Sequence, residues 1–529
     1  MAIILGLVLS LAVEALLAPR PNLHHRPLPS WGHHVGSWLI LFALELALFA
    51  RPYNAAANVL ALELFVVLVS NAKFHSLHEP FIYQDFEYFI DALRHPRLYL
   101  PFLGAGRAVG AAVAITGGVY GGLMLEAPVL APAFSVQWAA VVGGLLALGR
   151  LLLYVGNRHP PRVTLEPAVD LQRLGLFSIL WRYGCEERQR IDPPASPLDL
   201  AGAPAFRPNI LAIQSESFFD ARRLMPEIRR EVLAEFDRIS HQALRAGRLR
   251  VPAWGANTVR TEFAFLSGLN QEALGIHRFN PYRKLASAGV ETLASTLKRH
   301  GYRTICVHPY PASFYQRATV LPILGFDEFM DLDAFREAPR DGPYVSDQSV
   351  AEKVMGLLDA ADQPLFVFVI TMENHGPLHL ESVAAGDVER LYSSPPPNDC
   401  ADLTIYLRHL ANADRMIGTL HNGLAKSGQE SILCFYGDHM PIMPKVYAQL
   451  DLGDQRTDYF LWTNRSPPMA PARMDLAASD LAKTILELLA AMAECAGTEN
   501  PGKTPENDHS VGVVQTSGRN SRDKKIAND

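Results

Sequence analysis

The sequence has no paired cysteines and no long basic run. Its five cysteines are scattered over 529 residues without a Cys-x-x-Cys pair, so neither a zinc cluster nor a disulfide framework is indicated. The formal net charge is −6, and no basic segment is interleaved with aromatic residues, which argues against nucleic-acid binding. Charged residues make up only 19% of the chain and hydrophobic residues 49%. This balance indicates that part of the chain lies in lipid, and the length exceeds that of one ordinary domain.

The hydrophobic residues are concentrated before about residue 156. A membrane-spanning helix needs roughly 20 apolar residues. The candidate stretches are 2–18, 35–51, 54–71, 108–126 and 134–156. We therefore predict that residues 1–156 form an N-terminal transmembrane domain, a five-helix bundle. The first stretch lacks the basic start of a signal peptide and has a long apolar run, which favours an uncleaved helix.

The charges in this region leave the orientation of the bundle open. With a cytoplasmic N-terminus, five crossings place the rest of the chain outside, together with the basic loops at 19–34 and 72–107. That arrangement opposes the positive-inside tendency. Charged residues also fall inside the apolar stretches at Glu14, Glu45, Glu63 and Arg150. We interpret them as facing the bundle interior or as reaching the membrane surface from helix ends.

The pattern changes after about residue 205. Residues 157–204 resemble a juxtamembrane linker, in which an amphipathic segment at 171–181 is expected at the membrane surface. From 205 to 495, short β-rich apolar runs alternate with amphipathic helical patterns, which is typical of an α/β domain with a mostly parallel sheet flanked by helices. Residues 496–529 are polar and turn-rich, and we predict a disordered tail.

Four predicted strands each end in ionisable residues. The strands at 209–217, 302–310, 364–376 and 431–440 are predicted from their apolar runs, and a fifth from 458–464. Their final residues include Glu216, His308, Glu373, His375, Asp438 and His439. Because ligand sites in open α/β sheets lie beyond the carboxyl ends of the strands, these side chains are expected to converge on one edge.

Adjacent Asp438 and His439 suit a divalent cation such as Mn²⁺ or Zn²⁺. Glu216 supplies a second carboxylate, and a fourth, oxygen-bearing ligand is still needed. Thr258 is the candidate, because it follows a glycine-containing turn and precedes a predicted helix, whose N-terminus would attract a phosphate. Metal coordination would also activate its hydroxyl as a nucleophile. Thr258 could instead be an ordinary helix cap, and Thr261 is a competing candidate that these arguments do not exclude.

These residues resemble motifs of the lipoteichoic acid synthase group of the alkaline phosphatase/sulfatase superfamily, which includes phosphoglycerol transferase I. The metal-ligand glutamate of the family matches AIQSES at Glu216, and its Asp-His pair matches YGDHMP. The family threonine lies four residues before a glutamate in an [ST]-E-F element, and GANTVRTEF therefore implies Thr258 rather than Thr261. The resemblance covers about residues 205–465, and the N-terminal region is similar in layout.

The resemblance implies further site residues. The element HPYPASFYQR implies that His308, Tyr315 and Arg317 bind the head group, and ENHGP implies the same for His375. The implied metal ligands are Glu216, Thr258, Asp438 and His439, with Mn²⁺ preferred and Zn²⁺ or Mg²⁺ as alternatives.

The implied activity is transfer of glycerol phosphate from phosphatidylglycerol to a glycan or polymer acceptor through a phosphothreonine. The expected location is the bacterial inner membrane, with a multi-pass anchor and an extracytoplasmic catalytic domain. Pro309 and Pro311 depart from the family pattern, which leaves phosphoethanolamine transfer open, as well as hydrolysis by the same fold. The sulfatase Cys/Ser-x-Pro-x-Arg signature is absent, which argues against sulfate ester hydrolysis. A non-catalytic membrane sensor is the alternative of another class.

Overall fold

The structure, a computed structural model, describes residues 1–87, 105–129, 136–200, 206–465 and 470–498. Helices occupy all five predicted apolar stretches. They are α1 Ala2–Glu14, α2 Leu28–Phe49, α3 Pro52–Leu77, α4 Ala105–Leu125 and α5 Val136–Arg158. Among the described residues, α2, α3 and α5 are long and apolar enough to cross a membrane, whereas α1 has only 13 residues. The apolar helices are therefore confirmed, and the predicted count of five crossings is not.

Acidic residues of the apolar helices face the bundle interior. Glu14 and Glu63 are both buried. Glu14 forms an ion pair with Arg26 at 2.5 Å and accepts the backbone N–H of Leu176 at 2.7 Å. The second of these contacts ties α1 to the segment that follows the bundle.

That segment forms two short helices, α6 Pro167–Leu174 and α7 Leu176–Glu187. Leu171 of α6 and Ile179 of α7 are fully buried in a cluster with residues from two other parts of the chain. Val66 of α3 contributes from the bundle, and Phe279 contributes from the α/β domain. The segment predicted to lie on the membrane surface thus has its apolar face covered by protein.

The α/β domain contains one large sheet with the strand order β10-β2-β9-β8-β1-β7-β3-β4, in which β11 also pairs with β2. The central strands β8, β1, β7 and β3 are parallel. The strands are β1 Asn209–Ser215, β2 Arg245–Arg250, β3 Arg303–Val307, β4 Glu328–Met330, β5 Arg340–Asp341, β6 Tyr344–Val345, β7 Leu365–Ile370, β8 Ser431–Gly437, β9 Thr457–Thr463, β10 Ala472–Arg473 and β11 Leu476–Ala477. All five strands expected from sequence are present.

Helices cover both faces of this sheet. They are α8 Ala234–Gln242, α9 Thr258–Ser267, α10 Gln271–Leu274, α11 Pro281–Lys284, α12 Leu293–Arg299, α13 Arg317–Ile323, α14 Asp347–Asp359, α15 Asp387–Leu391, α16 Ala401–Lys426, α17 Pro444–Gln449 and α18 Ala478–Thr498. Because side chains alternate along a strand, β1 sends Leu211 and Ile213 into one core and Ile210 and Ala212 into the other. The last helix runs to Thr498, and the rest of the predicted tail lies outside the described residues.

The amphipathic pattern over residues 229–247 predicts one helix there. The helix is shorter: it begins at Ala234 and ends at Gln242, and the chain then enters β2, which pairs antiparallel with β9. Pairing with β9 supplies the backbone hydrogen bonds that a continued helix would have made within itself.

Candidate active site

The carboxyl ends of the central strands meet at one cleft. Glu216 follows β1, His308 follows β3, and His375 lies five residues beyond β7. Because these strands are parallel, their last residues come to the same edge of the sheet. The residues that line this cleft include Glu216, Thr258, His308, Tyr315, Arg317 and His375. The structure thus brings together residues that lie up to 159 positions apart in sequence.

Beside the cleft, Glu216, Asp438 and His439 form a group that fits a metal ion. Their potential ligand atoms lie within 4.8 Å of one another. The Nε2 atom of His439 is 3.6 Å from Glu216 Oε1 and 3.4 Å from Asp438 Oδ2. Both His439 Nε2 and Asp438 Oδ2 are buried without a hydrogen-bond partner among the described residues. Buried polar atoms almost always have partners, and a divalent cation would be the missing partner of both atoms.

The electrostatics of this group also favour a cation. Burial, reinforced by the nearby Asp438, raises the pKa of Glu216 to about 8. Burial likewise raises the pKa of Asp438. Two carboxylates in one dry site repel each other when both are ionised, and a bound cation would remove that repulsion.

Ser217 is a part of this group that the sequence analysis did not single out. Its backbone N–H donates to Asp438 Oδ1 at 2.8 Å, and its hydroxyl donates to Glu216 Oε1 at 2.8 Å. Its φ of 52° turns the chain sharply after β1. The sequence signal was a small polar residue directly after the strand-ending glutamate, in the SES motif.

Thr258 is the first residue of α9 and lines the cleft. The preceding Gly255 and Asn257 have φ values of 67° and 64°, so the chain reverses just before the helix begins. Burial raises the pKa of Asp438, and the nearby Thr258 side chain opposes that rise. The backbone N–H groups at the start of α9 suit a phosphate. The position therefore combines a hydroxyl, a nearby carboxylate and the N-terminus of a helix.

Thr261, the competing candidate, is placed differently. It is fully buried, and its hydroxyl donates to the main-chain oxygen of Asp438 at 2.8 Å. It is not among the residues that line the cleft. Of the two threonines, only Thr258 faces the space where a substrate would bind.

Arg317 and His308 belong to a buried network at the floor of the cleft. The guanidinium of Arg317 forms an ion pair with Glu262, and its Nη1–H donates to His308 Nε2 at 3.2 Å. His308 in turn donates from Nδ1 to the main-chain oxygen of Ile370 at 3.0 Å. Burial, together with Arg317, lowers the pKa of His308 well below its usual value. His308 is therefore a neutral acceptor that orients Arg317.

Glu262 is the functional residue that sequence reasoning used only as a spacing marker. Burial opposes the charged form of Arg317, but the Glu262 carboxylate outweighs it and raises the pKa of the guanidinium. Tyr282 donates its hydroxyl to Glu262 at 2.6 Å. The [ST]-E-F element was the signal, because it places an acid one turn beyond Thr258 on the buried side of α9.

His375 and Tyr315 complete the lining. His375 donates from Nδ1 to the main-chain oxygen of Gly376 at 2.7 Å, and burial lowers its pKa. It is therefore a neutral imidazole with Nε2 as an acceptor. The ring of Tyr315 lies 5.2 Å from the Arg317 guanidinium carbon, in a cation–π arrangement.

The loop that carries Thr258 contacts the end of a membrane helix. A Cβ on Gly255 would lie 3.1 Å from Leu77, the last residue of α3. Next along the chain, His78 stacks on Trp254 with ring centroids 4.8 Å apart. Glu79 then receives two hydrogen bonds from Arg260, at 2.9 and 3.0 Å. Three consecutive residues of the membrane domain thus contact the segment that presents Thr258.

The mostly parallel sheet and the carboxylate–imidazole group at its carboxyl edge define an α/β domain with a candidate metal site. The sulfatase family model matches residues 208–491. The chain belongs to the sulfatase family, in the alkaline phosphatase superfamily.

Three relatives are similar in sequence. Capsular polysaccharide biosynthesis protein RkpI of Rhizobium meliloti (strain 1021) is 31% identical over 458 residues, covering 82% of this chain and 80% of that protein. Lipoteichoic acid synthase 2 of Bacillus subtilis (strain 168) is 26% identical over 179 residues, covering 32% of this chain and 26% of that protein. Phosphoglycerol transferase I of Xanthomonas campestris pv. campestris (strain B100) is 26% identical over 208 residues, covering 37% of this chain and 28% of that protein. With these homologues, the chain is a phosphotransferase.

Among solved structures, the phosphoglycerol transferase GacH of Streptococcus pyogenes, in complex with sn-glycerol-1-phosphate, is similar with a TM-score of 0.45 and 22% identity. The match covers 59% of this chain and 83% of that chain.

Proposed function

We propose that this protein is a membrane-anchored phosphoglycerol transferase. It moves glycerol phosphate from phosphatidylglycerol to a glycan or polymer acceptor through a phosphothreonine at Thr258. The observation that carries the proposal is the position of Thr258, at a helix N-terminus beside the Glu216–Asp438–His439 group and next to the end of α3. A nucleophile, a metal site and a lipid surface therefore come together at one place.

In the first step, Thr258 Oγ1 forms a bond to the phosphorus of the donor, and the bond from phosphorus to the diacylglycerol oxygen breaks. The hydroxyl proton of Thr258 leaves, and the departing oxygen takes up a proton. His375 Nε2 is the acceptor in the cleft that can relay this proton, because Nδ1 already donates to Gly376. In the second step, an acceptor hydroxyl forms a bond to phosphorus, and Thr258 regains its proton as its bond to phosphorus breaks.

Glu216, Thr258, Asp438 and His439 would hold the metal, and Mn²⁺ is the ion that we expect, with Zn²⁺ or Mg²⁺ as alternatives. When bound there, the cation would lower the pKa of the Thr258 hydroxyl and offset negative charge on the phosphoryl oxygens. Arg317 and Tyr315 form the wall of the cleft against which the glycerol phosphate head group would lie. Glu262 and His308 hold the guanidinium in place for that contact.

The contacts of α3 support a lipid donor. Since Leu77 touches the loop that leads to Thr258, the cleft lies close to the end of a candidate membrane span. A phospholipid head group at that level needs little movement out of the bilayer to reach the site. The name of the relative RkpI, a capsular polysaccharide biosynthesis protein, favours a glycan as the acceptor.

Five crossings with an extracytoplasmic catalytic domain remain our proposal for the topology in the bacterial inner membrane. Glu14, the last residue of α1, and Phe81, which follows α3, both contact the α6–α7 segment. The C-terminal ends of α1 and α3 therefore both lie near that segment. The basic loops opposed this orientation, but large domains translocate largely regardless of loop charge.

The test is intact-mass spectrometry of the full chain in detergent after incubation with Mn²⁺ and a mixture of phosphatidylglycerol and phosphatidylethanolamine. We expect an adduct of glycerol phosphate, mapped by fragmentation to Thr258. Thr258→Ala should lose the adduct. The matched control is Thr261→Val, which removes a hydroxyl of the same helix outside the cleft and should retain it.

The other outcomes each exclude part of the proposal. An ethanolamine phosphate adduct on Thr258 would identify a phosphoethanolamine transferase. Released glycerol phosphate with no acceptor product would indicate a hydrolase. An adduct that survives Thr258→Ala would place the nucleophile elsewhere, and the absence of any reaction with a folded, metal-loaded protein would favour the non-catalytic sensor.

A further inference from the structure

A second group of metal-ligating side chains lies behind the cleft. Glu373 follows β7, His409 lies on α16, and Asp341 lies on β5. Their potential ligand atoms lie within 4.8 Å of one another, and Glu373 and His409 are buried. His409 Nδ1 is 3.0 Å from Glu373 Oε1 and 4.0 Å from Asp341 Oδ1. We propose that Asp341, Glu373 and His409 form a second divalent-cation site, separate from the group at Glu216.

The surroundings of this group orient its ligand atoms. The other nitrogen of His409, Nε2, lies 3.1 Å from Glu381 Oε2, and Arg408 holds that carboxylate at 2.8 Å. A carboxylate on the far side of an imidazole is the usual support for a metal-binding histidine, because it fixes the ring and its tautomer. This contact leaves Nδ1 directed at Glu373.

Glu373 and Asn412 extend this arrangement. The backbone N–H of Asp347 donates to Glu373 Oε2 at 2.7 Å, so Oε1 is the oxygen that faces the group. The side-chain amide of Asn412 reaches both Glu373 Oε1 at 2.5 Å and Asp341 Oδ2 at 2.8 Å. The other amide atom, Oδ1, accepts a hydrogen bond from Arg415, so the orientation of the amide is fixed and Asn412 holds the two carboxylates beside each other.

Asp347 supplies an independent indication of a cation. It is 1% exposed, and both of its carboxylate oxygens are buried without a hydrogen-bond partner among the described residues. The charged groups that act on this carboxylate are Glu373, His409, Glu216 and Asp341. The backbone N–H of Asp347 also donates to Glu373, so this residue adjoins the second group. Buried charges in protein interiors are paired or coordinate metals, and a cation at the second group would be a partner for this carboxylate.

The donor set selects the kind of cation. Carboxylate oxygens suit Mn²⁺, Mg²⁺ and Ca²⁺, whereas an imidazole nitrogen favours the transition ions. The combination fits Mn²⁺ or Zn²⁺. The ion would help to position His375. Glu373 lies two residues before His375, so a fixed Glu373 would hold His375 in place at the cleft.

The test is a count of bound metal. The full chain in detergent is stripped with a chelator, titrated with Mn²⁺ and separately with Zn²⁺, and the bound ions per chain are measured by mass spectrometry and by calorimetry. We expect two ions per wild-type chain. Asp341→Asn and Glu216→Gln should each bind one. The exposed control Asp333→Asn should bind two, and the melting curve of each variant reports its folding.

Asp341 is suited to this test because its side chain is 39% exposed, so that the amide replacement disturbs little packing. His409→Gln is the second variant, and it should also leave one ion. A wild-type chain that binds a single ion, lost in Glu216→Gln and retained in Asp341→Asn, would overturn the inference and leave the proposed function intact. A single ion retained in Glu216→Gln and lost in Asp341→Asn would support the inference and contradict the metal site of the proposed function.

Discussion

The ion pair between Glu262 and Arg317 makes a quantitative prediction about stability. The two side chains are 0% and 1% exposed. Replacing one partner of such a pair leaves the other charge buried, which typically costs about 3–5 kcal/mol. Tyr282 would also lose the charged acceptor of its hydroxyl. We therefore expect Glu262→Gln to lower the free energy of unfolding by about 3–5 kcal/mol.

The assay is urea denaturation of the full chain in detergent, followed by intrinsic fluorescence. The control is Asp333→Asn. It breaks the ion pair between Asp333 and Arg336, whose charged atoms lie 3.1 Å apart and whose side chains are both more than 70% exposed. This change should lower the free energy of unfolding by less than about 1 kcal/mol. Adding Arg317→Met to Glu262→Gln should recover part of the loss, because the unpaired charge is removed. If Glu262→Gln cost no more than the control, the pair would contribute nothing, and the reasoning about the floor of the cleft would be wrong.

Three further changes test the same geometry. Gly255→Ala forces an alanine into a backbone conformation with φ of 67° and places a Cβ 2.7 Å from Ile442. We expect the free energy of unfolding to fall by about 1–2 kcal/mol from the backbone alone. The phosphothreonine should form more slowly, while the metal content measured by mass spectrometry should stay unchanged. Glu79→Gln removes the charged partner of Arg260 and should lower the melting temperature of the full chain; an unchanged temperature would show that this contact contributes little. The pKa of His308 is depressed in the folded protein, so as the pH falls the unfolded chain takes up a proton first and the stabilising contribution of the neutral ring is lost. Between pH 7.5 and 5.5 the free energy of unfolding of the wild type should fall by about 1.4 kcal/mol more than that of His308→Gln. Parallel stability curves for the two proteins would contradict this.

The sequence was most informative where local pattern and chemistry coincide. Apolar strands that end in ionisable residues predicted the cleft, because parallel strands necessarily bring those residues to one edge. From chemistry and spacing alone Thr261 stayed a candidate, and only the family resemblance implied Thr258. The contact of Thr261 with the main-chain oxygen of Asp438 joins residues 177 positions apart, so it is visible only in the structure. The second group of metal-ligating side chains could not be predicted from the sequence either. Asp341 and His409 lie on a short hairpin and a long helix, and no spacing in the sequence relates them. The strand β2 was missed because a helical pattern was continued past Gln242.

The contacts at the end of α3 have a consequence for the height of the cleft. This helix has 26 residues and is therefore about 39 Å long at 1.5 Å per residue, which exceeds the roughly 30 Å hydrocarbon core of a bilayer. With the helix upright, its last turn, which ends at Leu77 beside the loop of Thr258, would extend beyond the acyl chains. The length of the helix would then set the distance from the acyl chains to the Thr258 hydroxyl. Membranes of different thickness would present the same head group to this protein at different heights.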